Sequence, residues 1–553
     1  MTTEIPPPAR PRSRAGGFAA LVASGIFLSR ITGLVREKIF AHYFGNGDAA
    51  GIYKAAIRIP NFLQNMLGEG VLSASFIPVY ARLVAKGDEK LAGRVAGVVA
   101  ALLAVVVVLL AALGVIFAPA LLVVIAPGFK GEVREMTILV VRILFPGIGL
   151  LVLYAWCLGI LNSHHKFFLS YVAPVLMNLT VIATMFVFGR RAADQDFVVK
   201  VAWGYVAGAV LQLGILVPFV FRYAKHLRFV IDLSLEPVRE ILRNFTPVLI
   251  GRGVVQVSAY LDSLLASLLG TAAVASFSYS QILYLLPISL FGMSVAAAEL
   301  PQMSSALGSE DEIQAMLRKR MERGLRQIAF FVVPSVAAYI LIGNVIVAAL
   351  YQGGRFGETD TRFVWYILIG SSVGLLAVTL GRLYSSAFYA LRDTKTPLRY
   401  AVIRVVLTGV LGYLFALPLR PLLVAGLRLA HVPLPLLGGS EAPLGAIALT
   451  ATAGAAGWIE FALLRRALGK RIGTVHFARG YLARLWTAAL GAGALAALFN
   501  TFILGRYGSL LPRLFPHVRD AILVCGVFGV VYFAVAMLVG VPEARTTLSR
   551  LKR

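Results

Sequence analysis

The chain has 553 residues, of which 59% are hydrophobic and only 14% charged, and its net charge is +26. A soluble globular domain carries roughly a quarter charged residues, so this composition excludes an ordinary soluble protein. Charge-free runs long enough to cross a bilayer as helices recur along the chain, for example 95–129, 263–298 and 521–542. The sequence therefore predicts an all-α polytopic membrane protein. The same fold explains the excess of basic residues without nucleic acid as a partner.

The apolar runs predict fourteen membrane spans, numbered in chain order. Their approximate limits are 17–41, 51–81, 97–125, 137–162, 167–189, 201–221, 244–269, 274–306, 327–351, 363–390, 401–419, 443–464, 482–504 and 520–542. We expect a cytoplasmic tail at 1–16, an N-lobe at 17–222, a linker at 223–243, a C-lobe at 244–464, two appended helices within 482–542 and a tail at 543–553.

Lysine and arginine are distributed unevenly between the two sides of the predicted spans. With the N-terminus in the cytoplasm, the cytoplasmic segments hold 32 of these residues and the opposite connections hold 12. Because short cytoplasmic loops are enriched in lysine and arginine, both termini are predicted to be cytoplasmic.

The two lobes resemble each other weakly in sequence. IPVYARLVAKGDEKLAGRV at 77–95 is echoed by LPQMSSALGSEDEIQAML at 300–317, and APGFKGEVRE at 126–135 by GGRFGETDTR at 353–362. The offsets are nearly constant and both lobes enter the membrane in the same direction. A parallel repeat of two six-helix lobes is typical of alternating-access transporters.

Apart from Arg404 and Arg484, which lie in the first turn of their spans and are counted with the cytoplasmic segments, eight basic residues fall inside predicted spans. A cation there costs at least ~2.5–3.5 kcal/mol and therefore faces a cavity or a partner. The eight are Arg30, Arg36, Lys38, Lys54, Arg58, Arg142, Arg252 and Arg382. Because they lie near helix ends, we expect the two lysines to extend to the membrane interface. We expect Arg30, Arg36 and Arg58 to line a cavity, and because guanidinium groups match phosphate oxygens, the cluster predicts a phosphate-bearing substrate.

Gly68, Glu69 and Gly70 interrupt the middle of span 2. Two interpretations stay open for this segment: a hinge within the span, or close helix packing through the glycines. The sequence contains neither a P-loop nor an HExxH motif, and its loops are too short for a catalytic domain. It therefore predicts a transporter rather than an enzyme, with no metal site.

Three strings resemble the lipid II flippases of peptidoglycan synthesis, the MurJ (MviN) family of the multidrug/oligosaccharidyl-lipid/polysaccharide exporter superfamily. They are SRITGLVREKIFAHYFG (29–45), IRIPNFLQNMLGEGVLSASFIPVYARL (57–83) and AFYALRDTKTPLRYAVI (387–403). The resemblance implies transport of undecaprenyl-diphosphate-linked disaccharide-pentapeptide from the inner to the outer leaflet of the bacterial cytoplasmic membrane. It also implies contact with membrane lipid and allows contact with cell-wall synthesis proteins.

The resemblance assigns substrate binding to residues on spans 1 and 2, which here are Arg30, Arg36, Glu37 and Arg58. The chain departs from the family at two positions where an arginine is expected, which are occupied by Gln64 and Ile282. We hypothesise that Arg252 on span 7 supplies a replacement charge.

The resemblance also implies an energy source, since some family members bind sodium in the second lobe. The corresponding acids are Asp262 on span 7 and Asp393 in the D-T-K-T-P motif. No cofactor is expected beyond sodium or the membrane potential, which assists an outward-moving anion by ~2.3 kcal/mol per charge per 100 mV.

Alternative functions remain from within and outside the transporter class. A flippase for another polyprenyl-diphosphate glycan would need the same cations, whereas a drug exporter for cationic substrates would favour acids. An integral-membrane glycosyltransferase or ligase would need catalytic acids near the membrane surface, but the connection at 420–442 contains a single acid, Glu441. A scaffold without transport would leave the intramembrane cations unexplained.

Overall fold

In the computed structural model, the described residues are 12–189, 194–305, 309–429, 431, 442–507 and 515–551. Across these ranges the chain is helical apart from turns, loops and an isolated antiparallel bridge between Gly353 and Phe356. The tail predicted at 1–16 lies mostly outside the described residues. The predicted all-α fold is confirmed.

Twelve helices within the described ranges are long and apolar enough to cross a membrane. They coincide with twelve of the predicted spans. The other two, spans 1 and 7, fall within long helices at Arg12–Phe44 and Glu236–Ser267. The number fourteen itself stays a prediction.

The chain divides into two compact units by its internal contacts. Unit 1 comprises residues 1–43, 52–125 and 130–257, and unit 2 comprises residues 44–51, 126–129 and 258–553. The division at residue 257 falls inside a helix rather than in the predicted linker at 223–243.

Unit 1 is built from the first eleven helices, although the start of α2 and the end of α11 belong to unit 2. They are α1 Arg12–Phe44, α2 Asp48–Ala56, α3 Arg58–Leu67, α4 Glu69–Ala85, α5 Glu89–Ile116, α6 Ala118–Ile125, α7 Gly131–Ser163, α8 Phe167–Phe188, α9 Asp194–Gly214, α10 Val217–Tyr223 and α11 Glu236–Ser267.

Helix α7 is the core of unit 1 and packs against α3, α4, α5 and α9. Its second half, from Leu151 to Leu161, is almost completely buried. The indole N–H of Trp156 donates a hydrogen bond to the carbonyl of Ala96 on α5, at 3.2 Å. This bond satisfies a polar group that would be costly to leave unpaired away from water.

Predicted span 2 is three helices rather than one. Breaks at Ile57 and Gly68 separate α2, α3 and α4. Gly68 has φ −80° and ψ −118°, and a Cβ at this position would stand 2.5 Å from the carbonyl oxygen of Gln64. Glycine is therefore required at this break, where any side chain would collide with the preceding turn.

Unit 2 contains the remaining elements. They are α12 Thr271–Pro287, π1 Ile288–Met293, α13 Ser294–Ser304, α14 Glu310–Leu341, α15 Gly343–Tyr351, α16 Glu358–Ala390, α17 Lys395–Ala416, α18 Arg420–Leu429, α19 Ala442–Ile472, α20 Tyr481–Leu498, π2 Phe499–Leu504, α21 Gly505–Tyr507, α22 Pro516–Leu538 and α23 Pro542–Leu551.

Helix α16 is the core of unit 2, and its most extensive packing is against α19. The two backbones approach closely at Gly374 and Gly454, where an added Cβ on Gly374 would lie 2.4 Å from Cα of Gly454. Small residues at a crossing allow such close packing of membrane helices. Helices α20 and α22 pack on each other. Helix α20 also packs against α14, and α22 packs against α15.

Candidate functional site

Glu37 on α1 is at the centre of a buried charge cluster in unit 1. Its Oε1 accepts a hydrogen bond from the Arg36 guanidinium at 2.9 Å, and its Oε2 accepts one from the Lys54 ammonium. The side chains of Glu37 and Lys54 are only 10% and 8% exposed. A carboxylate at this depth requires compensation, which the two cations provide.

Asn178 on α8 holds the Arg36 guanidinium from a second helix. Its side-chain oxygen accepts a hydrogen bond from Nη1 of Arg36 at 3.0 Å, and its amide nitrogen donates to the hydroxyl of Thr32 at 3.2 Å. Thr32 lies one turn before Arg36 on α1. The guanidinium is thus held from two helices, although a quarter of its side chain stays exposed.

Aromatic rings surround the cluster. The ammonium of Lys54 lies 4.4 Å from the centre of the Phe40 ring, which in turn packs 5.0 Å from the ring of Tyr53. Tyr53 and Tyr205 are buried and interact electrostatically with Arg36. These rings exclude water, and charges act more strongly on one another in such surroundings.

Three other predicted binding residues, Arg30, Arg58 and Gln64, lie on α1 and α3. Arg58 is half-buried at the start of α3, near enough to Lys54 to repel its charge. Arg30 is exposed on α1, six residues before Arg36 and therefore about 9 Å away along the helix. Gln64 is half-buried on α3, about 120° around the helix from Arg58.

The prediction that Lys54 extends to the membrane interface is wrong. The side chain is buried, because the carboxylate of Glu37 and the face of Phe40 hold it inside unit 1. Asn178 was not among the predicted site residues. A polar residue in the charge-free run 167–189 was the available signal, but nothing local to α8 indicates Arg36 as its partner, 142 positions away.

Some of the predicted site residues fall outside the described part of the structure. The side chains of Arg252 and Glu69 lie outside the described part of the structure, as does the burial of Gly70, so the proposed replacement charge at Arg252 stays a hypothesis. Gly68 is described and marks the break between α3 and α4.

The two acids predicted to couple an ion have different partners in unit 2. Asp262 interacts electrostatically with Tyr284 on α12. Asp393 lies in the turn before α17, where both carboxylate oxygens accept hydrogen bonds from Thr396, at 3.0 and 2.7 Å. Arg471 also donates to Asp393 at 2.6 Å. These hydrogen bonds from Thr396, followed by the charge of Arg471, lower the pKa of Asp393.

A sodium ion does not fit this arrangement at Asp393. A hard cation needs several oxygen ligands with free lone pairs, whereas hydrogen-bond donors and a guanidinium already surround this carboxylate. Among the described residues, no group of three or more histidine, cysteine, aspartate or glutamate side chains is arranged to hold a metal ion.

The cluster in unit 1 has an excess of positive charge. Arg30, Arg36, Lys54 and Arg58 carry four positive charges on α1, α2 and α3, against the carboxylate of Glu37. A polyanion placed beside such a surface gains Coulomb energy that water screens poorly at this depth. Chemically, the arrangement can bind a phosphate-bearing group without any bond being made or broken.

Comparison with known families and proteins gives consistent matches. A family profile described as "Lipid II flippase MurJ" matches residues 40–433. A probable lipid II flippase MurJ from Rhizobium tropici is 29% identical over 542 residues, covering 95% of this chain and 94% of its own. The lipid II flippase MurJ of Burkholderia cenocepacia is 28% identical over 411 residues, covering 72% of this chain and 78% of its own.

Solved structures share the fold. A lipid II flippase MurJ in an inward closed conformation superposes with a TM-score of 0.73 at 21% identity, covering 94% of this chain and 98% of that one. An inward-facing multidrug resistance transporter of the MATE family superposes with a TM-score of 0.58 at 19% identity, covering 82% of this chain and 99% of that one.

Proposed function

The chain belongs to the lipid II flippase MurJ family, and from that premise we propose that it moves lipid II from the inner to the outer leaflet by alternating access. It is a transporter rather than an enzyme. The charge cluster centred on Glu37 supports this proposal most directly, because it presents an excess of cations at membrane depth.

We propose that the diphosphate of the substrate pairs with Arg36, Arg58 and Arg30. Glu37 and Asn178 hold the Arg36 guanidinium in place while leaving part of it exposed. A guanidinium held in this way loses little freedom when phosphate oxygens approach, which favours binding. Phosphate can also be matched by two parallel N–H donors of one arginine.

The substrate in this proposal is undecaprenyl-diphosphate-linked disaccharide-pentapeptide, carried in a bacterial cytoplasmic membrane. The distribution of lysine and arginine, 32 against 12, supports cytoplasmic termini. The proposed lobes are 17–222 and 244–464, with the helices of 482–542 in contact with lipid. Contact with other cell-wall synthesis proteins is compatible with this placement.

We propose the membrane potential as the energy source in preference to sodium at Asp393. The substrate diphosphate carries negative charge outward, and an inside-negative potential assists it by ~2.3 kcal/mol per charge per 100 mV. The ion pair between Arg471 and Asp393 supports this choice, because the guanidinium of Arg471 already occupies the carboxylate at which sodium was predicted to bind.

Transport of fluorescent lipid II in vesicles containing the purified chain tests the proposal. Arg36→Gln should reduce the rate at least tenfold, because it removes a charged hydrogen-bonding group worth ~1.5–3 kcal/mol from the site. Arg142→Gln is the matched control, since Arg142 lies on α7 and its Nε bonds the carbonyl of Val115. Equal rates for Arg36→Gln and the unmodified chain would overturn the proposal.

A further inference from the structure

A polar pocket of about 510 Å³ lies within unit 2. Its volume falls in the range of ~300–1,000 Å³ typical of small-molecule sites. Helix α15, the first turns of α16 and α22, and segment π2 surround it. The residues that define it here are Asn344, Gln352, Trp365, Tyr366, Asn500 and His517.

All six of these side chains are half-buried rather than fully exposed. They offer amide and imidazole hydrogen-bonding groups beside two aromatic rings. The rings of Trp365 and Tyr366 are stacked, with centres 5.6 Å apart and planes 25° apart. A few convergent polar groups beside aromatic rings are what a small-molecule site uses to orient its ligand.

The Trp365 ring is held rigidly. Its indole N–H donates a hydrogen bond to the carbonyl of Tyr339 at 2.9 Å. An added Cβ at Gly343 would lie 2.7 Å from Cδ1 of Trp365, so the ring packs directly against the backbone at the start of α15. A ring fixed before binding loses little conformational entropy when a ligand stacks on it.

The helix that carries Asn500 is irregular at the pocket. Asn500 is the second residue of π2, the π-helical segment that interrupts the regular helix after α20. Such π segments are rare and are found frequently at functional sites, where they reposition a side chain. This observation is independent of the pocket's composition.

The charges at the pocket are compensated locally. Glu358 pairs with Arg362 on α16, and Asp520 pairs with Arg519 on α22. The lining therefore lacks the cationic excess of the unit 1 cluster, and a diphosphate would find little net attraction. Uncharged, hydroxyl-rich ligands fit better, because amides pair with hydroxyl groups and aromatic rings pack against the apolar faces of sugar rings.

We propose that this pocket binds a saccharide. The inference rests on the proposed function, under which the transported lipid carries a disaccharide. The proposed topology places the end of unit 2 that holds this pocket on the side to which the substrate is delivered. The pocket then holds the sugar part of the head group after its diphosphate leaves the cations of unit 1.

The test measures binding of a soluble amide-bearing disaccharide, N,N′-diacetylchitobiose, to the full chain in lipid nanodiscs by saturation-transfer difference NMR. We expect saturable binding with a dissociation constant of the order of 1 mM. Asn500→Leu should weaken it about tenfold, through the loss of hydrogen bonds. Glycerophosphoethanolamine, a soluble phospholipid head group, should not compete.

Trp365→Phe should also weaken binding, and it retains an aromatic ring so that the fold is preserved. Trp203→Phe is its matched control, because Trp203 is 57% exposed on α9 in unit 1, and we expect unchanged affinity. The absence of saturable binding, or equal affinity in the Asn500 variant and the unmodified chain, would show that the pocket is a wet cleft at a helix end. Preferential binding of glycerophosphoethanolamine would identify a lipid site and also overturn the proposal.

These outcomes can be distinguished from failure of the proposed function. The binding assay involves no transport, whereas the Arg36→Gln assay measures transport alone. If Arg36→Gln abolishes transport and the disaccharide does not bind, the saccharide proposal fails by itself. If the disaccharide binds and Arg36→Gln transports normally, the saccharide site stands and the role of the cations fails.

Discussion

The two units use intramembrane charge in different ways. In unit 1, the carboxylate of Glu37 is shared between Arg36 and Lys54, and further arginines lie on neighbouring turns. In unit 2, Glu460 forms an ion pair with Arg404 at 3.2 Å and also interacts electrostatically with Arg382. Asp262 and both arginines act on the same residue, Tyr284, so this group holds two acids against two arginines. The comparison indicates that the unit 1 cluster keeps an excess of cations to attract an anion, whereas this group in unit 2 is balanced.

The ion pairs of the two units also differ in how far their side chains are buried. Lys54 in unit 1 is 8% exposed as a side chain, while Arg404 in unit 2 is 28% exposed. Removing one partner of a buried pair leaves an uncompensated charge, and the penalty rises with burial. Substitutions in the two units should therefore differ in size, and the predictions below run from the largest expected effect to the smallest.

Glu37→Gln should have the largest effect on stability. It leaves the buried Lys54 without its carboxylate, at a cost of about 3–5 kcal/mol. Thermal unfolding in detergent should show the loss, and the double variant Glu37→Gln/Lys54→Met should recover part of it. Glu460→Gln in unit 2 should cause a smaller loss of stability. Equal losses of stability in Glu37→Gln and Glu460→Gln would contradict the proposed difference between the units.

Gly68→Ala should destabilise unit 1 by about 1–3 kcal/mol, because the new methyl group would collide with the carbonyl oxygen of Gln64 at the break between α3 and α4. Gly214→Ala is the matched control, since an added Cβ at the end of α9 meets nothing within 4 Å. Thermal unfolding of both variants measures the difference. If Gly68→Ala unfolds at the same temperature as its control, the break does not require glycine.

Asn178→Leu should lower transport by about tenfold while the chain still inserts and folds. The substitution removes the hydrogen bond that positions Arg36, and such a bond to a charged group is worth ~1.5 kcal/mol or more. The readout is the transport rate at several substrate concentrations, together with the melting temperature. A full rate in this variant would show that Arg36 needs no positioning from α8.

Asp393→Asn in unit 2 should have the smallest effect, and that effect should depend on pH. The pKa of Asp393 is lowered in the folded chain by hydrogen bonds from Thr396 and by Arg471. Its contribution to stability is therefore present above the ordinary aspartate pKa of ~3.9 and is lost as the pH falls through the lowered folded value. Melting temperatures of the variant and the unmodified chain should differ near pH 7 and begin to converge only as the pH falls below ~3.9.

The fold was largely predictable because length and hydropathy determine which segments cross a membrane. Twelve predicted spans coincide with helices of suitable length and apolarity. The three-part division of span 2 was not predictable in detail: Gly68 indicated a weak point, but the break at Ile57 has no glycine or proline at that residue. Pro60 follows three residues later, and a proline removes a hydrogen bond to the turn before it, so the sequence indicates a break near Ile57 without giving its residue.

The candidate site was predictable only in part. Cations inside apolar runs are costly, so Arg36 and Arg58 could be singled out from sequence. The partners of these charges come from distant helices, as with Asn178 on α8 and Arg471 on α19. Reading one helix at a time placed Lys54 at the interface, and the family resemblance that suggested sodium at Asp393 did not indicate Arg471 as its partner.

The most direct test of the central claim is the affinity of the full chain in nanodiscs for undecaprenyl diphosphate relative to undecaprenyl monophosphate. If the excess cations of unit 1 bind the diphosphate, the unmodified chain should prefer it by about tenfold, which is ~1.4 kcal/mol. Arg36→Gln should reduce that preference, and Arg142→Gln should keep it. Equal affinity of the unmodified chain for the two lipids would contradict the assignment of these cations to the substrate diphosphate.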